Sequence, residues 1–188
     1  MNIYTSKTPL FARRITEELD EEIGVGDRIR VGKYTATCQK TTKQGALFLL
    51  DQYLDEPRPM NEDGEGRPYE ESDLRKFLQS EEALKEFRQY RERMAAHENG
   101  DLLRIPALSE IFGDEDAEYF EELPGKQWEL MKDRKNRIAF RCDEWEWGWL
   151  QNKRKGSATN FASVNGGGSA VSYGASYSLG VRPAFLIV

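Results

Sequence analysis

One stretch limits what this chain can become more than any other. From Gly156 to Gly180 it carries no charged side chain, although charged residues make up 32% of the protein. The segment GSATNFASVNGGGSAVSYGASYSLG is built almost wholly from Gly, Ser, Ala, Asn and Tyr. The chain then closes on the apolar run Val181-Arg182-Pro183-Ala184-Phe185-Leu186-Ile187-Val188. Gly/Ser-rich segments often serve as flexible linkers, but here a linker would join the body of the protein to a short strand-like tail and nothing else. Recognition loops have a matching composition, in which Tyr offers rigid amphipathic contact area and small polar residues offer adaptable hydrogen bonding. The expectation is an ordered surface sewn into the fold by the terminal run.

A chain of 188 residues most often forms one domain with a sizeable core. Four Trp, nine Phe and eight Tyr supply core material that disordered chains lack. The net charge of -6 argues against a nucleic-acid partner, which would demand a basic surface. The basic cluster Lys153-Arg154-Lys155 reads as a solvated turn. The first residues, MNIYTSKTPLFARRITEELDEE, lack the apolar centre of a secretion signal, and no segment reaches the length of a membrane span. Cytoplasmic synthesis without a cleaved signal and without membrane insertion is therefore expected, with release by lysis as a virion component left open. Cys38 and Cys142 have no C-x-x-C spacing and read as free thiols, a long-range disulfide being the alternative.

Along the chain, ARRITEELDEE is a short helix candidate. Arg28 to Cys38 alternates polar and apolar residues with period two, and Ala46 to Leu54 is an apolar run, so the two predict a hairpin. Residues 55–71, rich in Pro, Gly and acids, predict a long surface loop. Ser72 caps a helical part over 72–97, with Ser80 a second starting point and Leu74, Phe77, Leu78, Leu84, Phe87 and Met94 on its inner side. His97 falls in its polar last turn, where a solvated or dipole-pairing role is expected. A small acidic helix is predicted over 107–122, and strands over 137–141 and 144–150. In the last of these Trp145, Trp147 and Trp149 alternate on one face, as core packing along a central strand or as an aromatic platform.

Catalysis would need a constellation that the sequence does not offer. There is no G-x-S-x-G, P-loop or H-E-x-x-H motif, and one His in the whole chain leaves little for imidazole chemistry. Carboxylates are plentiful but sit in no distinctive pair. The alternating oxygens of Asn61, Asp63 and Glu65 resemble the start of a calcium loop, but the downstream ligands are missing. No enzyme activity, cofactor or metal is expected.

From Trp147 onward the layout W-x-W-L, then a small-residue stretch containing F-A-x-V, then G-V-R-P-A-F, resembles the C-terminal part of bacterial and phage domains with a C-type lectin fold. Their relatives are the variable proteins diversified by diversity-generating retroelements. The front half, GDRIRVGKY, LLDQYLD and SDLRKFL, fits more loosely. The resemblance implies one α+β domain over 1–188 with a C-type lectin-like fold. That fold has small mixed or antiparallel sheets, two or three helices and a long loop-rich C-terminal region. Residues 147–188 would be the variable, ligand-displaying part.

In that family a rigid scaffold carries a variable face whose template codons, typically Asn, change to Ser, Gly, Asp, Tyr, Thr or Ala. The resemblance makes Phe161, Ala162, Val164, Ala170, Ala175 and Gly180 to Phe185 the fixed frame. Thr159, Asn160, Ser163, Asn165, Gly166, Ser169, Ser172, Tyr173 and Tyr177 become the displayed positions, with Trp149 beside them. Asn165, Tyr173 and Tyr177 would contribute most to contact, since aromatics concentrate binding energy. Arg182 reads as a structural ion pair or carbonyl clamp beneath the surface, and Pro183 as an edge or bulge that puts the tail beside the first strand. The implied partner is a protein or other cell-surface macromolecule, with oligomerisation open. Calcium-dependent sugar binding is not implied, because the Glu-Pro-Asn and Trp-Asn-Asp motifs are absent and Glu56-Pro57-Arg58 has Arg in place of the amide. The alternatives are a structural or assembly protein of a phage particle and an enzyme related to formylglycine-generating proteins, whose chemistry rests on reactive cysteines.

Overall fold

The computed structural model describes residues 23–188 together with the backbone of Ile15–Thr16. The chain begins with β1 (Ile15–Thr16), β2 (Arg28–Val31), β3 (Tyr34–Thr42) and β4 (Gly45–Leu50). The helical part follows as α1 (Asp73–Leu78), α2 (Glu81–Leu84) and a 3-10 segment over Lys85–Arg93, and leads into β5 (Met94–Ala95). Next come α3 (Leu108–Phe112), 3-10 turns at Ala117–Tyr119 and Glu129–Lys132, and α4 (Arg134–Arg137). The C-terminal third is all strand: β6 (Phe140–Arg141), β7 (Glu144–Trp145), β8 (Gly148–Lys153), β9 (Asn160–Val164), β10 (Ala170–Gly174) and β11 (Ala184–Ile187). The architecture is α+β, with mostly antiparallel sheets and few, short helices. No helix among the described residues is long and apolar enough to cross a membrane.

The main sheet runs β1-β2-β3-β4-β11-β5. The terminal strand β11 is therefore interior, pairing antiparallel with β4 on one side and β5 on the other. This corrects the expectation of a tail beside the first strand. Pro183 lies one residue before β11, where its missing N–H breaks no ladder bond, and its carbonyl accepts from Leu50 N at 3.0 Å. The same alternation that makes strands distributes their side chains between two cores. Phe48, Leu50, Phe185 and Ile187 enter one core with Leu74, Leu78, Leu84 and Phe87. Leu47, Leu49, Ala184 and Leu186 enter the other with Leu108, Ile111, Phe112 and Trp128. A strand buried on both faces reads as a continuous apolar run, which is why ALFLL and AFLI show no alternation of their own.

Ser72 and Ser80 each cap a helix, their hydroxyls accepting from Arg75 N at 3.0 Å and Ala83 N at 3.3 Å. Beyond Leu84 the helix tightens to 3-10 form. Leu84, Phe87 and Tyr90 are buried at a strict spacing of three, which lies on one line at three residues per turn and drifts at 3.6. Three expectations need correcting. The acidic helix over 107–122 shrinks to α3, which stops at the positive-φ Gly113. Of the strand expected over 137–141 only Phe140–Arg141 forms, because Arg137 still ends α4, which Asp133 starts by accepting from Lys135 N at 3.0 Å. At Ile15–Thr16 the expected helix is instead a strand parallel to β2, and the rest of that candidate lies outside the described residues.

A polar knot joins the front of the second core to the main sheet. Arg104 and Glu110 form a two-pronged ion pair, both bonds at 2.6 Å, with side chains only 14% and 11% exposed. Arg104 Nε also donates to His97 Nδ1 at 3.3 Å, and His97 Nε2 faces Ala184 O at 3.4 Å. His97 is thus a half-buried structural group and not a solvated one. Burial, followed by the Arg104 charge, pushes its pKa down from 6.5 to about 4. The unfolded chain therefore takes up this proton at a higher pH than the folded one. The resulting stability is complete above pH 6.5 and is lost as pH falls towards 4. From about 1.4 kcal/mol per unit the loss reaches at most about 3 kcal/mol. Denaturant titrations at pH 7.5 and 4.5 check this: the wild type should lose more stability between them than His97→Gln, and equal losses would refute it.

Candidate functional site

The candidate site grows out of the hairpin β6–β7. Its two turn residues, Cys142 and Asp143, both have positive φ (50° and 64°), the sign that tight two-residue hairpins require. Arg141 grips Glu146 with two bonds of 2.6 and 2.8 Å and closes the base of the hairpin. The hairpin lifts Trp145 into solvent, 65% exposed, with its ring edge-on to Phe140 at 5.9 Å. Two residues on, Trp147 is half-buried and edge-on to Tyr173 at 4.8 Å, and Tyr173 is edge-on to Tyr177 at 5.1 Å. Tyr177 ends this ridge, 58% exposed. Each edge-to-face contact adds about 0.5–1.5 kcal/mol beyond area burial, so the ridge is a preorganised apolar surface. Gly166 lies under Trp145, whose Cβ is 3.6 Å from where a Gly166 Cβ would stand.

The three tryptophans do not share a face. Trp145 is exposed and Trp147 half-buried, while Trp149 is 1% exposed, donates to Arg58 O at 2.7 Å and meets Phe161 edge-on. The strand expected over 144–150 breaks at Glu146–Trp147, between β7 and β8, and the break reorients each side chain. Trp149 is therefore removed from the displayed set. Ser163 is removed as well. It lies in the central strand of the β10–β9–β8 sheet, 0% exposed, because both neighbours and both faces are covered.

The remaining expected positions are accessible but not gathered on one face. Tyr173 pairs with Phe161 of the first core and Ser172 with Ala162 of the second, so these two point to opposite sides of the sheet. Ser172 accepts from Arg154 at 2.8 Å and Ser169 from Arg134 at 2.7 Å. Asn165 Oδ1 accepts from Gly167 N and Ser169 N at 2.9 and 3.0 Å, so it holds the glycine turn and is not a free contact maker. Thr159 is exposed and Asn160 half-buried, their side chains 3.4 Å apart. The structure sets Gly166 against Trp145, whose ring meets Phe140, and Tyr173 and Tyr177 in a chain with Trp147. Trp145 and Trp147 answer to the aromatic-platform alternative for W-x-W, whereas Phe140 lies outside the expected positions. The short charged-aromatic repeat around Cys142-Asp143 was the signal for a hairpin.

The frame beneath is rigid. Tyr53 is buried with its ring against Gly148 and Gly180, where a Cβ at either position would run into it. Burial pushes its phenol up to about 12. Arg182 is a carbonyl clamp, donating to Leu50 O at 2.7 Å and to Asn136 O at 3.1 Å, and desolvation lowers its pKa. Loop 55–71 covers one flank. Asn61 is fully buried, donating to Glu65 O and Arg67 O at 2.7 and 3.1 Å, and Asp63 pairs with Arg67. Those oxygens and amides serve the loop itself, and no group of three candidate metal ligands occurs among the described residues. Both cysteines are free. Cys38 is buried in the first core with its thiol pushed up to about 12 by burial, while Cys142 is exposed in the turn.

A family model described as a domain of unknown function, DUF6273, matches residues 44–188. The chain belongs to the DUF6273 family. No curated protein and no solved structure matches it. The DUF6273 span takes in β4 to β11, and with them the whole aromatic ridge and both of its glycine supports. The β2–β3 strands lie before it, yet they complete the same sheet.

Proposed function

We propose that this chain is a recognition protein with a C-type lectin-like fold, akin to the variable proteins of diversity-generating retroelements. It binds a protein or other macromolecule on a cell surface, in a phage or bacterial setting. The observation that carries the reading is the ridge Trp145, Trp147, Tyr173 and Tyr177. Trp145 stands on a hairpin against Phe140, and Trp147, Tyr173 and Tyr177 form an edge-to-face chain onto an edge strand, all partly exposed and over a frame held by Tyr53 and Arg182. Large aromatics fixed by their neighbours lose little freedom on binding and concentrate affinity. The charge-free segment supplies the low-relief surroundings; of the displayed positions, Tyr173 and Tyr177 belong to the ridge and Gly166 lies against Trp145.

Two measurements test the reading. Retention of the protein on intact host cells should fall about tenfold or more in Trp145→Ala/Tyr177→Ala, the size expected for losing two aromatic anchors, in a variant that still unfolds cooperatively. Equal retention of variant and wild type would remove the ridge from the interface. Sequencing around the gene should find a near-copy of its 3′ end, differing at template adenines, beside a reverse transcriptase gene. Without it the diversification part of the proposal fails, whatever the cell-binding result.

A further inference from the structure

On the face of the main sheet away from α1 and α2 lies a cavity of about 270 Å³ that the ridge does not use. One wall is β2, β3 and the end of β4: Arg28, Thr37, Gln39 and Asp51. The opposite wall is apolar, with Leu130, Met131 and Ile138, and Lys135, Asn136 and Arg182 lie at the junction. The charges lining it do not balance. Asp51 is fully engaged, accepting from Arg28 at 2.6 and 3.0 Å and from Thr35 and Thr37 hydroxyls at 2.6 Å each. Arg182 donates only to backbone carbonyls, and no carboxylate among the described residues forms an ion pair with it or with Lys135. Three cations, Arg28, Lys135 and Arg182, therefore face the space against one carboxylate, Asp51, which favours an anionic occupant.

A second, independent feature is Gln39. The register of β3 against β4 shifts between Cys38 and Lys40, so Gln39 is the extra residue of a β-bulge. Bulges re-aim a side chain, and this one puts a carboxamide that is only 3% exposed at the cavity wall. Its Nε2 is anchored on Thr37 O at 3.0 Å, while Oε1 has no hydrogen-bond partner among the described residues. An acceptor left so is destabilising, and an occupant that presents an N–H or O–H relieves it. By volume the space holds roughly nine waters or about a dozen non-hydrogen atoms.

We propose that this cavity binds a small carboxylic acid bearing an amide N–H and a short apolar side chain, of the N-acylamino acid class. The carboxylate faces Lys135 and Arg182, the N–H meets Gln39, and the side chain lies on Leu130, Met131 and Ile138. Titration of the full chain with N-acetyl-L-leucine, followed by amide chemical shifts, should give a Kd tighter than about 1 mM and shifts centred on Thr37, Gln39 and Asn136. N-acetyl-L-leucinamide, without the carboxylate, and 4-methylpentanoate, without the N–H, should each bind about tenfold more weakly. Lys135→Glu, on an exposed side chain, should weaken N-acetyl-L-leucine by about tenfold at an unchanged melting temperature. Gln39→Met should bring N-acetyl-L-leucine down to the level of 4-methylpentanoate and leave the latter unchanged. No shifts at about 10 mM ligand, equal binding of the amide, or shifts centred elsewhere would overturn the proposal. Tighter binding of a longer peptide ending in leucine would replace the free acid by a chain terminus and overturn it too.

Discussion

Arg104→Ala is expected to destabilise the fold by about 3–5 kcal/mol, the cost of stranding one member of a buried ion pair. Glu110 would keep its charge at 11% exposure with its best partner gone, retaining only the bond from Ala107 N at 2.9 Å. His97 would lose the donor that faces its Nδ1. For a chain of this size each kcal/mol moves the melting temperature by about 2–4 °C, so the fall should approach 10 °C or more. Thermal unfolding checks the loss, and the double variant Arg104→Met/Glu110→Met distinguishes its cause. If the damage is an orphaned charge, removing both charges restores much of the stability. If the double variant is as unstable as the single one, the knot acts through its shape and its carbonyl contacts instead.

The second large effect separates tryptophans that the sequence presents as a set. Trp149→Ala is expected to cost about 3–5 kcal/mol, since it empties a fully buried site between Phe161 and Arg58. Trp145→Ala should cost no more than about 1.5 kcal/mol, the edge-to-face contact with Phe140, because the rest of its ring faces solvent. Equilibrium denaturation of the two variants is sufficient. Similar losses would mean that the hairpin β6–β7 packs into the core, and the aromatic ridge would no longer be a surface.

These contrasts show what could be read without the structure. The caps at Ser72 and Ser80, the buried line Leu74, Leu78, Leu84, Phe87 and the framing role of Phe161, Ala162, Ala175 and Val181 were all legible. So was the carbonyl clamp as one of the two roles for Arg182. The displayed set was legible only in part. Ser163 looks like its neighbours in composition, and nothing local states that β9 is the middle strand of three. Asn165 looks like a contact maker, and its commitment to two backbone N–H groups depends on how the glycines turn.

By itself the sequence determined the elements whose causes lie within a few residues. These are the serine caps, the period-two strands, the helical spacing that follows Ser72 and the strand-like apolar tail. Only the tertiary structure decided which strand that tail joins, which tryptophan is core and which is ridge, and that Gln39, Arg182 and Lys135 border one cavity. The reason is physical: a cap or a period is a property of neighbouring residues, whereas burial, charge balance and an unmet hydrogen bond depend on what packs opposite, and those partners come from distant parts of the chain.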